Sequence, residues 1–180
     1  MIDTAAKKLS VYMKKQVPHH PSSIEVLETS IGLFLNVSSI VVLSLLGGFF
    51  TGNLKEVIIL LISFPILRRY SGGLHLDSGT SCALFTSGMF ILLSFFNFTD
   101  RTIIHSFTAL TLLIVLIYAP SNLQNQRNVP IEHYPTLRKI SALIVATNFI
   151  FVSDTLAISF FVQAFSLILG KEVKSHGNDI

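Results

Sequence analysis

The sequence predicts an all-α integral membrane protein: a helical bundle of about six transmembrane segments, preceded by an amphipathic, interfacial N-terminal helix. Three observations support this fold class. Of the 180 residues, 51% are hydrophobic and only 13% are charged, whereas about 25% are charged in an average soluble domain. The mean hydropathy is high, at +0.65. Long uncharged stretches alternate with short basic clusters, as expected of membrane helices and their connecting loops.

Residues 1–20 predict the interfacial helix. Four lysines lie on one face of a helical wheel, and the opposite face carries the apolar residues Ile2, Ala5, Ala6, Leu9, Tyr12, Met13 and Val17. Such a helix can bury its apolar face at the headgroup boundary while its lysines contact anionic lipid. The alternative is an amphipathic segment that packs on the bundle and is otherwise solvated. In both cases Pro18 and Pro21 end the helix.

The apolar stretches that follow are judged against the ~20 residues needed to cross a bilayer. Residues 29–53, 78–99 and 102–120 carry no charge. Residues 57–67 are uncharged over only 11 positions, so this segment crosses only if long flanking side chains reach the interfaces. Residues 140–170 would make one helix about 46 Å long, which predicts instead two helices with Asp154 at their turn.

These segments form a single predicted membrane domain, 1–180, in which residues 24–170 are the transmembrane bundle and 171–180 a polar cytoplasmic tail. With six crossings, 11 of the 13 Lys and Arg residues fall on one side, and only Lys55 and Arg101 fall on the other. Because basic loops stay in the cytoplasm, both chain ends are predicted to be cytoplasmic. If the second and the last hydrophobic pairs dip into the membrane and return, four crossings remain.

The composition excludes several classes of partner. The net charge is +3, but the basic residues occur in short clusters between apolar runs, so we expect no nucleic acid partner. Nucleotide- and metal-binding signatures are absent, and a single cysteine excludes an internal disulfide framework. We therefore expect no metal and no cofactor.

The candidate chemistry lies in residues 68–82, where the single cysteine, Cys82, follows His75 by seven positions. A thiol beside an imidazole can act as a nucleophile. On one continuous helix the two would stand about 10.5 Å apart along the axis, too far for a hydrogen bond. The helix must therefore break between them, and the glycines at 72, 73 and 79, with Asp77 or Ser78 as the N-cap of the next helix, supply that break.

The break also predicts the surroundings of the thiol. If Ser78 caps the next helix, Cys82 lies early in that helix, where the positive end of the helix dipole stabilises negative charge. The backbone N–H groups of Gly72 and Gly73 form a candidate oxyanion site. The alternative is that Cys82 only packs, in a small membrane transporter or scaffold without catalytic activity.

Two motifs in a fixed order carry a family resemblance. The first combines Arg68-Arg69, Gly73-x-His75 and Cys82, and the second combines Tyr118-Ala119-Pro120 with Pro130-Ile131. With the six hydrophobic segments and the basic amphipathic N-terminus, they resemble the AgrB (accessory gene regulator protein B) family of membrane cysteine endopeptidases. The similarity extends over nearly the whole chain.

The resemblance implies a bacterial cell-membrane enzyme that removes the C-terminal part of an AgrD-like propeptide. The product is a quorum-sensing autoinducing peptide, closed as a thiolactone or lactone. Cys82 matches the family nucleophile, which holds the peptide as a thioester, and His75 matches the general base. The site would lie at the cytoplasmic interface. The implied partners are the propeptide and membrane lipid, and a homo-oligomer is an open alternative.

The remaining candidate residues surround this pair. Arg68, Arg69 and Gly73 match supporting positions of the family, and we assign the arginines to substrate carboxylates or lipid phosphates because of their bidentate geometry. A third catalytic residue is not evident from the sequence, and the candidates for it are Asp77, Ser71 and Glu28.

Overall fold

The structure, a computed structural model, describes residues 1–19, 21–73, 78–121 and 130–176, with the backbone alone at 131 and at 170–176. The α-helices within these ranges are α1 (Ile2–Gln16), α2 (Ile24–Thr51), α3 (Leu54–Ser71), α4 (Gly79–Leu93), α5 (Arg101–Tyr118), α6 (Tyr134–Ala146), α7 (Asn148–Phe151) and α8 (Asp154–His176). A 3-10 turn, Ile131–His133, precedes α6. The predicted all-α class is confirmed.

The predicted turn at Asp154 within residues 140–170 is confirmed, although the part before it contains two helices, α6 and the short α7, rather than one. Helix α6 and the short α7 end before Val152, whose φ of 49° is left-handed, and α8 begins at Asp154. The buried Asn148 stabilises the turn, because its Nδ2 donates to the Ser153 carbonyl at 3.1 Å and its Oδ1 accepts from the Ser153 N–H at 3.0 Å. Helix α8 continues to His176, so the predicted polar tail is helical at its start.

Helix α3 is central to the bundle, where it contacts α2, α4, α6 and α8. Its buried face recurs at helical spacing, through Val57, Leu60, Phe64 and Leu67. Two clusters of buried side chains pack on this face. One cluster, near the C-terminal end of α3, contains Leu67, Val115, Ala119, Val145, Phe160, Ala164 and Leu167. The other, nearer its N-terminal end, contains Leu60, Phe64, Phe90, Leu93 and Ile158.

Two helices, α2 and α5, are long and apolar enough to cross a membrane. Their outer surfaces are open, since only 11% and 22% of their most apolar windows are buried in the bundle. Phe34, Phe49 and Phe50 of α2 are more than two thirds exposed. A core helix of a soluble protein would bury such residues, so these surfaces indicate a membrane protein. The six-crossing topology and the cytoplasmic chain ends remain predictions.

Helix α1 packs against α2 by a stripe of small residues rather than by its large apolar ones. Ala6 and Ser10 are buried, and a Cβ on Gly32 of α2 would stand 3.6 Å from the Ala6 Cβ. Tyr12 and Met13 stay exposed, at 61% and 45%. Packing on the bundle is therefore observed, and it leaves the apolar face available for the predicted lipid contact.

Candidate functional site

The sole cysteine lies at the start of α4. Ser78 occupies the N-cap position in an extended conformation without a side-chain bond to the helix, and the Cys82 N–H donates to the Ser78 carbonyl at 2.9 Å. The predicted helix break before Cys82 is therefore present, and the thiol lies in the first turn. Cys82 is only 8% exposed, and its Sγ lies 4.0 Å from the Thr86 Oγ1.

The other side of the break is a turn made by Ser71, Gly72 and Gly73, which we call the glycine turn. Helix α3 ends at Ser71, and Gly72 and Gly73 follow with φ of 77° and 125°. These left-handed values favour glycine because a Cβ clashes with the backbone there. The turn is thus set by sequence, and it ends two residues before His75.

At this turn the first motif contacts Ser121, the residue directly after Tyr118-Ala119-Pro120 of the second motif, although Gly73 and Ser121 lie almost 50 positions apart in the chain. The Gly73 N–H donates to the Ser121 carbonyl at 3.1 Å, and the Ser121 N–H donates to the Ser71 carbonyl at 2.9 Å. This parallel bridge joins the end of α3 to the segment that follows α5. The Ser121 hydroxyl donates to the Leu167 carbonyl of α8 at 3.3 Å.

A buried amide that the sequence analysis missed completes the turn. Gln163 of α8 is fully buried. Its Nε2 donates to the Gly72 carbonyl at 2.6 Å and to the Ser71 Oγ at 3.1 Å. The sequence feature that could have indicated Gln163 is an uncharged amide inside an apolar helix, because polar side chains there usually have hydrogen-bond partners.

Both N–H groups of the predicted oxyanion site at the glycine pair are hydrogen-bonded within the protein. The Gly72 N–H donates to the Arg68 carbonyl at 3.0 Å, as the last turn of α3 requires, and the Gly73 N–H donates to Ser121. Neither amide is available to a substrate in this conformation. The sequence could not show the bond of Gly73, because the Ser121 acceptor becomes a neighbour only through the tertiary fold.

Arg68 and Arg69 lie in the last turn of α3, next to the glycine turn. Arg68 is partly buried, with its guanidinium carbon 5.9 Å from the centre of the Phe64 ring, and Arg69 is exposed. A third arginine, Arg138 of α6, reaches the same end of the bundle, where its Nε donates to the Ala119 carbonyl at 2.6 Å. This end is therefore basic.

Two predicted site residues, His75 and Asp77, lie outside the described residues. Of the other candidates for a third catalytic residue, Ser71 is fully buried and its hydroxyl accepts from Gln163. Glu28 lies on the second turn of α2 and is partly exposed.

A cavity of about 520 Å³ lies at the opposite end of the bundle, away from Cys82. It is lined by Phe98, Thr99, Arg101, Ile104, Ile150, Phe151, Val152 and Asp154. These residues begin α5 and form the α7–α8 turn, whereas the predicted site lies where α3 ends and α4 begins. The cavity therefore does not coincide with the predicted chemistry.

Comparison with known proteins assigns the chain to a family. The family model described as AgrB, Accessory gene regulator B, matches residues 6–171. A relative from Clostridium acetobutylicum, named "Putative AgrB-like protein", is 26% identical over 151 residues, which cover 80% of this chain and 68% of the relative. No solved structure matches the chain. Since the matched range covers nearly all of the sequence, the chain belongs to the accessory gene regulator B (AgrB) family.

Proposed function

We propose that this protein is a membrane-embedded cysteine endopeptidase that removes the C-terminal part of an AgrD-like propeptide and promotes its cyclisation to an autoinducing peptide. The observation that carries the proposal is the location of Cys82. The only thiol of an AgrB-family chain lies in the first turn of the helix that follows the break after the glycine turn, and His75 lies in the sequence between them.

In the first step, the Cys82 Sγ attacks the carbonyl carbon of the scissile peptide bond. His75 takes the thiol proton and gives it to the leaving amine. The C–N bond breaks, the C-terminal fragment leaves with a free amine, and the N-terminal fragment stays on Cys82 as a thioester. No water is consumed.

In the second step, a Cys or Ser side chain within the bound fragment attacks the thioester carbonyl. Its proton passes through His75 to the Cys82 sulfur, which leaves as the thiol, and a thiolactone or lactone closes. Hydrolysis would compete with this step, and excluding water suppresses it. The low exposure of Cys82, 8%, supports cyclisation of the thioester over its hydrolysis.

The oxyanion of each tetrahedral intermediate needs hydrogen-bond donors other than the glycine pair. The first N–H groups of an α-helix have no partner within the helix, and in α4 these belong to Gly79, Thr80 and Ser81. We assign the oxyanion to this first turn, where the helix dipole adds to the stabilisation. The nearby Arg68 and Arg69 are assigned to carboxylates of the propeptide or to lipid phosphates.

The test is mass spectrometry of the purified protein in vesicles with an AgrD-like propeptide. We expect a released C-terminal fragment and an acyl group on Cys82. Cys82→Ala should abolish both products, and His75→Ala should abolish cleavage. Ser81→Ala is the matched control for the cysteine, because it changes only an exposed side chain on the same turn and keeps the backbone N–H assigned to the oxyanion. His105→Ala is the control for the histidine, because His105 lies near the start of α5.

Cleavage that survives Cys82→Ala in a folded protein would refute the peptidase proposal. That result would favour the alternative, a transporter or scaffold in which Cys82 only packs. Loss of cleavage in the Ser81 and His105 controls as well would show that the variants act through folding rather than through chemistry.

A further inference from the structure

The side-chain amide of Gln163 holds the glycine turn. An amide is an unusual side chain in an apolar helix such as α8. Between residues 155 and 169 the other polar side chains of α8 are hydroxyls, which can satisfy themselves on their own helix. The amide of a fully buried glutamine needs partners from elsewhere. Gln163 finds them on α3, at the Gly72 carbonyl and the Ser71 hydroxyl.

The orientation of the amide is fixed by its surroundings. The Gly72 carbonyl can only accept, so the nitrogen of Gln163 must face it. On the other side, the Ser166 hydroxyl donates to the backbone carbonyl of Gln163 at 2.7 Å and lies 3.3 Å from the Gln163 Oε1. The short 2.6 Å contact to Gly72 therefore belongs to a side chain with one available orientation.

Together with Ser121, this amide satisfies the polar backbone of the glycine turn. The Ser71 carbonyl, the Gly72 N–H, the Gly72 carbonyl and the Gly73 N–H each have a hydrogen-bond partner. Gln163 and Ser121 supply three of these four bonds, and the last turn of α3 supplies the other. A turn bonded at each of these groups is a rigid base for the residues that follow it.

The contact is also shaped for glycine. A Cβ on Gly73 would stand 2.6 Å from the Ser166 Oγ and 3.2 Å from the Gln163 Nε2. The turn can therefore approach α8 closely only because residue 73 is a glycine. This close approach places the backbone of the turn against the Gln163 amide.

A second hydrogen bond between α3 and α8 shows what a purely structural contact looks like here. The hydroxyls of Ser63 and Ser159 lie 2.7 Å apart, and both residues are buried. Ser159 precedes Gln163 by one helical turn on the same face. This pair joins the middle of α3 to the second turn of α8, away from the glycine turn.

From this contrast we propose that Gln163 is a positioning residue of the peptidase. It fixes the glycine turn against α8 and so sets where the chain delivers His75, two residues later, relative to Cys82. This inference rests on the proposed function, because it assumes that His75 activates the Cys82 thiol. One consequence can be tested without substrate: Gln163 determines how strongly the reactivity of the Cys82 thiol depends on His75.

The experiment measures the rate at which iodoacetamide alkylates the full-length protein in vesicles. Cys82 is the only cysteine, so the reaction reports on one thiol. The variants are His75→Ala, Gln163→Met, which keeps the side-chain length without a donor, and the matched control Ser159→Ala. We expect alkylation about tenfold slower in His75→Ala and in Gln163→Met, in line with the cost of misplacing a catalytic group. Ser159→Ala should react as wild type does.

The double variant His75→Ala/Gln163→Met separates positioning from a general loss of structure. If Gln163 acts through His75, the double variant reacts no more slowly than His75→Ala alone. Rates that multiply in the double variant would overturn the proposal. So would a wild-type rate in Gln163→Met when His75→Ala is slow, and the proposed function would survive both results. A wild-type rate in His75→Ala would instead remove the proposed function and this inference together.

A milder variant serves if Gln163→Met fails to fold. Ser166→Ala removes the hydroxyl 3.3 Å from the Gln163 Oε1 and so loosens one side of the amide, while Gln163 keeps its volume in the core and its bond to Gly72. We expect alkylation about two- to threefold slower, as for a partly lost alignment. An unchanged rate in folded Ser166→Ala, with Gln163→Met unfolded, would count against a positioning role.

Discussion

Replacing Gly73 by alanine tests whether the glycine turn is as constrained as the structure implies. A non-glycine residue at the φ of 125° seen here costs about 1 to 3 kcal/mol. The new Cβ would also meet the Ser166 Oγ at 2.6 Å, and overpacking of this kind costs about 1 to 3 kcal/mol. Because the Ser166 side chain is short and can rotate, we place the total loss of unfolding free energy near ~3 kcal/mol.

Gly88→Ala is the matched control, since it makes the same chemical change in the middle of α4. A Cβ there meets nothing within 4 Å, and alanine is favoured over glycine in a helix by about 1 kcal/mol. The two variants should therefore differ by about 4 kcal/mol in unfolding free energy. Denaturant titration in detergent micelles, followed by circular dichroism, measures the difference.

Cleavage of the propeptide gives a second readout of the same pair. A shift of about 1 Å at a catalytic group can cost about 100-fold in rate, so Gly73→Ala should lose most of its cleavage and Gly88→Ala should keep it. The expected difference in unfolding free energy is about 4 kcal/mol. The reasoning is refuted if the two unfolding free energies differ by less than about 1 kcal/mol and both variants cleave the propeptide equally well.

Two further predictions concern polar contacts of α5 and α6. Thr108 and Thr111 are both buried on α5, but the Thr108 Oγ1 accepts from the Asn148 Nδ2 at 3.0 Å, whereas the Thr111 Oγ1 has no partner among the described residues. Thr108→Val should lower the unfolding free energy by about 1 to 2 kcal/mol and Thr111→Val should raise it by up to about 1 kcal/mol, and equal effects in denaturant titrations would contradict this. Arg138→Met should cost about 1 kcal/mol, since it removes a charge-assisted bond to Ala119 that solvent partly screens. Thermal unfolding in micelles would measure the cost. The control is Lys139→Met, which removes the neighbouring positive charge and should cost less.

The helices could largely be predicted from sequence, because the signals that set them are local. Uncharged runs marked α2, α4 and α5, and the excess length of residues 140–170 marked a turn at Asp154, where α8 indeed begins. The break between His75 and Cys82 followed from glycine spacing. The ends of α3 were harder, since its uncharged run is short and its last turn contains two arginines.

Helix α1 shows what local sequence signals cannot predict, namely which of its residues pack against a neighbouring helix. The hydrophobic pattern placed Ala6 on one face with the large apolar residues, yet of that face only Ala6 is buried, together with the polar Ser10. Small side chains let two helix backbones approach closely. Hydropathy ranks residues by transfer energy and contains no information about the distance between helices.

By itself, the sequence determined the helical class, the helix break and the first-turn location of the only thiol, because each depends on residues within a few positions of one another. Only the tertiary structure decided which groups hold the glycine turn. Gln163 and Ser121 are about 90 and 50 positions away from Gly72 and Gly73, and they become neighbours when α3, α5 and α8 pack. The same packing gave the Gly73 N–H its acceptor, Ser121, whereas the Gly72 N–H is bonded within the last turn of α3, because a buried backbone amide must find an acceptor.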